Sequence, residues 1–158
     1  MNRAELMAEI DRRWRMIDDL VKESSYDDLA AVAGGPEAPP DGWTVGEVLI
    51  HMAGWKRRAL DIAYLLTAKP DAPDSEVNDR LFSEWESWNA GHRDRAKGIG
   101  PDDILSEHHA AHRALIQAIS ALPDECLLAG GKDRRWLRPL MAHTFDHLDS
   151  DLKPVLQR

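Results

Sequence analysis

The chain has 158 residues, 43% hydrophobic and 30% charged, a balance that excludes a disordered or collagen-like polymer and allows one domain, residues 1–158, with its own core. Its net charge of -8 sets the average surface against phosphate backbones, so nucleic acid is not an expected partner. Cys126, the single cysteine, excludes an intramolecular disulfide and any CxxC motif. With no signal-like apolar run between Met1 and Leu20 and no membrane-length apolar window, the expected compartment is the cytoplasm.

Leu6, Ile10, Trp14, Ile17, Leu20 and Val21 recur every three or four residues and predict an amphipathic first helix, with Asn2 and Glu5 as its capping box. The run from Gly34 to Gly42 holds three prolines and three glycines and reads as a loop. Thr44 with Glu47 forms a second capping box, opening a helix whose stripe is Val45, Val48, Leu49, Met52, Ala59, Ala63 and Leu66 and which ends near Pro70. The stretch 75–95 has a weaker pattern, anchored by Leu81, Phe82, Trp85 and Trp88, and reads as one additional, less regular helix. Pro101 in a first turn, followed by Asp102 and Asp103, opens a third bundle helix with the stripe Ile104, Ala111, Leu115, Ile119 and Leu122, stopping at Pro123. After Gly130-Gly131, the residues Leu137, Leu140, Met141, Thr144, Leu148, Leu152 and Val155 mark a final helix. Nothing alternates as a strand would, so the fold class is all-α and a four-helix bundle is expected to bury the four apolar stripes.

Histidines carry the chemistry. His143 and His147 are four apart, on one face of the final helix, a spacing suited to two imidazoles on one ion. His51 flanks the stripe of the second bundle helix. Three imidazoles from His51, His143 and His147 would leave a coordination position open, as in a catalytic rather than a closed structural centre. Spacing alone leaves solvated helix histidines as the alternative. His108 lies near the middle of its helix's stripe with His112 one turn on. His108 reads either as an acid/base group lining the cavity of His51 or as a hydrogen-bonded core histidine. Asp146 and the acidic run Asp149 to Asp151 are either acceptors that fix imidazole tautomers or a solvated face.

The segment Gly42-Trp43-Thr44-Val45-Gly46-Glu47-Val48-Leu49-Ile50-His51-Met52-Ala53-Gly54-Trp55 resembles the helix-two signature of the DinB-like superfamily, where a tryptophan opens the helix and a metal-position histidine precedes a second tryptophan by four residues. His143-Thr144-Phe145-Asp146-His147-Leu148 resembles the closing motif of that superfamily, especially its DfsB/ClbS-like branch, and 78–127 is similar to the same branch more loosely. Two positions depart from the pattern: Lys56 stands where an acidic residue is common, and Thr144 where an aromatic is frequent. The resemblance implies a DinB-like four-helix bundle with a divalent ion, Zn²⁺ or Ni²⁺ foremost, on His51, His143 and His147, and a homodimer as an open option. It further implies a metal-dependent transferase or hydrolase acting on small molecules, thiol-dependent or detoxifying. The alternative is a non-catalytic self-protection module that sequesters a reactive metabolite without metal.

Overall fold

The computed structural model describes residues 2–34, 42–127, 137 and 146–157. Helix α1 (Arg3–Val21) opens with the expected capping box: the Asn2 side chain accepts from the Glu5 N–H and the Glu5 carboxylate accepts from the Asn2 N–H. A short α2 (Tyr26–Ala30) follows, capped in the same way by Ser25 and Asp28. The long α3 (Val45–Ala68) starts at the Thr44/Glu47 capping box and stops before Pro70, as its sequence dictates.

Where one irregular helix is expected over 75–95, two form instead: α4 (Asp74–Phe82) and α5 (Trp85–Ala96). The break is at Glu84, which adopts a left-handed φ of 51°, a conformation that a non-glycine residue holds only when its surroundings fix it. Arg58 of α3 fixes them, donating to the Leu81 carbonyl at 2.6 Å and to the Ser83 carbonyl. Helix α6 (Pro101–Ala121) begins with Pro101 in its first turn and ends before Leu122, and α7 (Asp124–Leu127) follows. Of the final helix, Leu140, Met141 and Thr144 lie outside the described residues, while Leu137 is buried and helical. Its described end is not a plain α-helix. After Asp146 and His147 the chain widens into a π-helical turn, Leu148–Leu152, in which the Lys153 N–H reaches the Leu148 carbonyl, and it closes with α8 (Lys153–Leu156). Pro154 supplies the reason: it has no N–H to donate, and its ring crowds the carbonyl four residues back.

The molecule is an all-α helical bundle with α3 at its centre, packed chiefly against α6 and α5. Glu107 of α6 ties three helices by accepting from Arg57 of α3 and from Arg95 of α5, the latter at 2.6 Å. The apolar core falls into two clusters. One is built on Ile10, Ala59, Leu115 and Ile119, the other on Ile17, Leu49, Met52 and Ile104. Between them in chain order stand Trp14 on α1 and His108 and His112 on α6, and Lys56, next to Trp55 on α3, packs into the same layer. Lys56, His108 and His112 are all buried. Trp14 binds this layer together: His112 stacks on its ring at 3.7 Å between centroids, His108 lies at 4.6 Å, and the Lys56 ammonium nitrogen sits 3.8 Å from the ring centroid.

Candidate metal centre

Three backbone ties assemble the wall of the site. The Ala33 N–H donates to the Trp43 carbonyl at 2.6 Å, the Val45 N–H to the Ala31 carbonyl at 3.0 Å, and the Gly34 N–H to the Asp151 carbonyl at 3.0 Å. The segment after α2 is thereby held between the start of α3 and the π-helical turn. Trp43 is set edge-on to His51, with centroids 4.9 Å apart and planes at 87°. His51, two turns into α3, is buried at 3% exposure.

His147 comes to the same place from the C-terminal segment. Its ring lies 5.0 Å from that of His51, at 89°. Two imidazole nitrogens on one tetrahedral ion, each at about 2.0–2.1 Å, set their ring centroids roughly 5 Å apart, so this pair fits a shared divalent ion. Asp151, one turn on, meets His147 Nδ1 through its carboxylate. An ionised carboxylate only accepts, so Nδ1 carries the proton and Nε2 presents the lone pair, the tautomer a metal ligand requires. Of the acidic residues at this end, Asp151 thus orients an imidazole, whereas Asp149 pairs with Lys153 and Asp146 is exposed. His143, the third expected ligand, lies outside the described residues. Among the described residues, no three His, Cys, Asp or Glu side chains form a metal-holding group.

His51, His147 and Asp151 line a cavity of about 170 Å³ together with Trp43, Asn89, Ala33 and Val48. Asn89 arrives on α5. The close approach of that helix to α3 depends on Gly54, where a Cβ would stand 2.8 Å from His92 Nε2 and 2.9 Å from Trp88 Cη2. One turn past Asn89, Arg93 reaches the buried Glu47 at 3.5 Å and lies 5.5 Å from the Trp43 ring centroid. Asn89 and Arg93 have no spacing that marks them in the sequence. The packing of α5 against α3 follows from Gly54, the gap that Trp88 and His92 fill.

His108 is buried, as the centre of its stripe requires, but the residues described around the His51 cavity do not include it. Its surroundings are Trp14, His109 and Lys56, and burial, reinforced by the nearby Lys56, holds its pKa well below the usual imidazole value. Its described contacts are thus with the Trp14 layer rather than with the residues described around the His51 cavity. By ~100° of helix per residue, Lys56 lies roughly 140° around α3 from His51, so the groups packed on Lys56 face away from that cavity.

An all-helical bundle with imidazoles from α3 and the C-terminal segment meeting beside a small cavity defines a protein of the DinB-like class. The sequence matches the profile of the mycothiol maleylpyruvate isomerase N-terminal domain over residues 10–147, a span that contains His51, His143 and His147, and the chain belongs to that family, part of the DinB-like superfamily. Members of this superfamily often bind a divalent metal. Searches of curated proteins and of solved structures found no match. No described helix is long and apolar enough to cross a membrane.

Proposed function

We propose that this protein is a metal-dependent enzyme that joins a low-molecular-weight thiol to a small electrophile, with the ion held by His51, His147 and His143. The observation that carries this reading is the His51–His147 pair at 5.0 Å, with Asp151 fixing the His147 tautomer at the edge of a cavity. The family's name points to mycothiol, a small thiol, as the kind of co-substrate. A divalent ion bound there supplies Lewis acidity, lowering the pKa of a thiol presented to it. The chain does the rest. Trp43 and Val48 give the cavity an apolar wall that limits water around the reacting sulfur. Asp151 keeps His147 Nε2 as a lone-pair donor. At about 170 Å³ the cavity accommodates the reacting end of a small molecule. A reducing cytoplasm, where such thiols stay reduced, suits this chemistry.

The test is consumption of a small thiol in the presence of an electrophile, using zinc-loaded protein. Repeated turnover that disappears in His51→Ala and on chelation supports the reading. One equivalent of electrophile removed per chain, indifferent to chelator, would instead indicate a sequestering self-protection module.

A further inference from the structure

The polar groups around the cavity divide into those already committed and those still open. His147 directs its Nε2 lone pair to the ion position because Asp151 engages Nδ1, and that contact occupies the Asp151 carboxylate. His51 Nδ1 is buried, so the ring nitrogen His51 can turn to the cavity is Nε2. Two groups remain: the side-chain amide of Asn89 and the indole N–H of Trp43, both at the cavity wall. Asn89 Oδ1 is buried with no hydrogen-bond partner among the described residues, so the polar atom that Asn89 presents to the cavity is the donor Nδ2. Turning the amide over would bury two N–H donors in place of one acceptor, and orphaned buried donors are the rarer of the two in native structures. The helix that carries Asn89 is fixed in place. Arg58 closes the break before α5 and stacks its guanidinium 4.4 Å from the Trp88 ring centroid, and Gly54 admits Trp88 and His92 against α3. Nδ2 is thus held on a rigid element beside the imidazole pair.

The lone pairs at this cavity are therefore spent on the ion and on His147, and the open groups, Asn89 Nδ2 and Trp43 Nε1, are both donors. The part of a ligand that meets them has to carry an acceptor. A thiol sulfur belongs at the ion, so the acceptor is carried by the electrophile, as an oxygen joined through a double bond to the carbon framework that the sulfur attacks. Such an oxygen gains negative charge as the sulfur–carbon bond forms, and neutral donors already aimed at it hold it more strongly in the transition state than in the ground state. Resting on the thiol-transfer reading above, we infer that Asn89 is a specificity-determining residue, which donates from Nδ2, with Trp43 Nε1 beside it, to the electrophile oxygen that becomes negative when the sulfur attacks.

The experiment gives zinc-loaded protein 2-mercaptoethanol and either of two small electrophiles, with the uncatalysed rates subtracted. With methyl vinyl ketone the sulfur bonds to the terminal alkene carbon, the π pair shifts toward the carbonyl and the oxygen takes the negative charge; the proton lost from the thiol is replaced by one that water delivers to the carbon beside the carbonyl. With allyl bromide the sulfur–carbon bond forms as the carbon–bromine bond breaks, bromide leaves with the electron pair, and no oxygen takes part. Wild type should accelerate the ketone reaction more than the bromide reaction, each relative to its uncatalysed rate. The ratio of kcat/KM for ketone to that for bromide should fall about ten- to hundredfold in Asn89→Leu, the range for losing one donor to a developing charge. A general loss of structure would lower both reactions and leave the ratio in place. Equal acceleration of the two by wild type, or an unchanged ratio in Asn89→Leu, would overturn the assignment while leaving the thiol-transfer reading intact. Should the leucine variant fail to fold, Asn89→Asp, which keeps the side chain's size and replaces Nδ2 by an oxygen, should show the same fall, and an unchanged ratio there overturns the assignment equally. If wild type accelerates neither reaction, the thiol-transfer reading itself fails and the role of Asn89 falls with it.

Discussion

His112 offers a quantitative handle on the buried layer between the two core clusters. Burial, with Lys56, His109 and Arg113 adding like charge nearby, pushes its pKa from 6.5 down to about 3. The folded state thus resists a proton that the unfolded chain accepts. The associated stability is fully present above pH 6.5, falls as the pH drops from there towards 3, and falls no further below 3. At pH 5 the unfolded imidazole is almost wholly protonated and the folded one almost wholly neutral, so this single residue removes about 2 kcal/mol relative to pH 8. His108, shifted in the same direction by its burial, steepens the loss. Urea unfolding of wild type and His112→Gln at pH 8 and pH 5 isolates the contribution. The glutamine variant, though weaker at pH 8 for want of the Trp14 stack, should lose about 2 kcal/mol less than wild type between the two pH values, with similar m-values. Parallel losses in the two proteins would refute the placement of His112 in a desolvated, positively biased layer.

Lys56→Met should raise stability at pH 7 by about 1–3 kcal/mol, because it removes a buried amine with no hydrogen-bond partner among the described residues while keeping a flexible chain against Trp14; a lower denaturation midpoint would contradict this. Gly54→Ala gains ~1 kcal/mol of helix propensity but loses ~1–3 kcal/mol by overpacking His92 and Trp88. A net loss near 1 kcal/mol is expected in thermal unfolding, and a gain would mean that α5 stands off from α3. Asp151→Asn should weaken zinc binding by about 10–100-fold in competition with a chelator, since an amide no longer fixes the His147 tautomer. Unchanged affinity would show that the Asp151–His147 contact has no bearing on the site.

Local signals in the sequence translate directly into structure. The capping boxes at Asn2/Glu5 and Thr44/Glu47 and the first-turn Pro101 act within one helical turn, so composition suffices to place them. The α4–α5 break was not legible, because the left-handed residue is Glu84 rather than a glycine and its conformation is imposed by Arg58 from another helix. The π-helical turn has a visible cause in Pro154, although the apolar spacing continues through it unbroken. For the site, the resemblance singled out His51 and His147, but periodicity on separate helices says nothing about whether they meet. Lys56 had a readable signal. It falls between Met52 and Ala59 in the middle of the α3 stripe, and a lysine there is passed over because lysine is so seldom buried.

The central claim is that His51 and His147 hold an ion together. Elemental analysis of protein purified without an affinity tag and equilibrated with Zn²⁺, then freed of loosely held metal, tests it most directly. Wild type should retain close to one zinc per chain and either His51→Ala or His147→Ala almost none, both variants keeping their helical spectrum. Undiminished zinc in either variant would remove that histidine from the centre, and no retained zinc in wild type would contradict the claim outright.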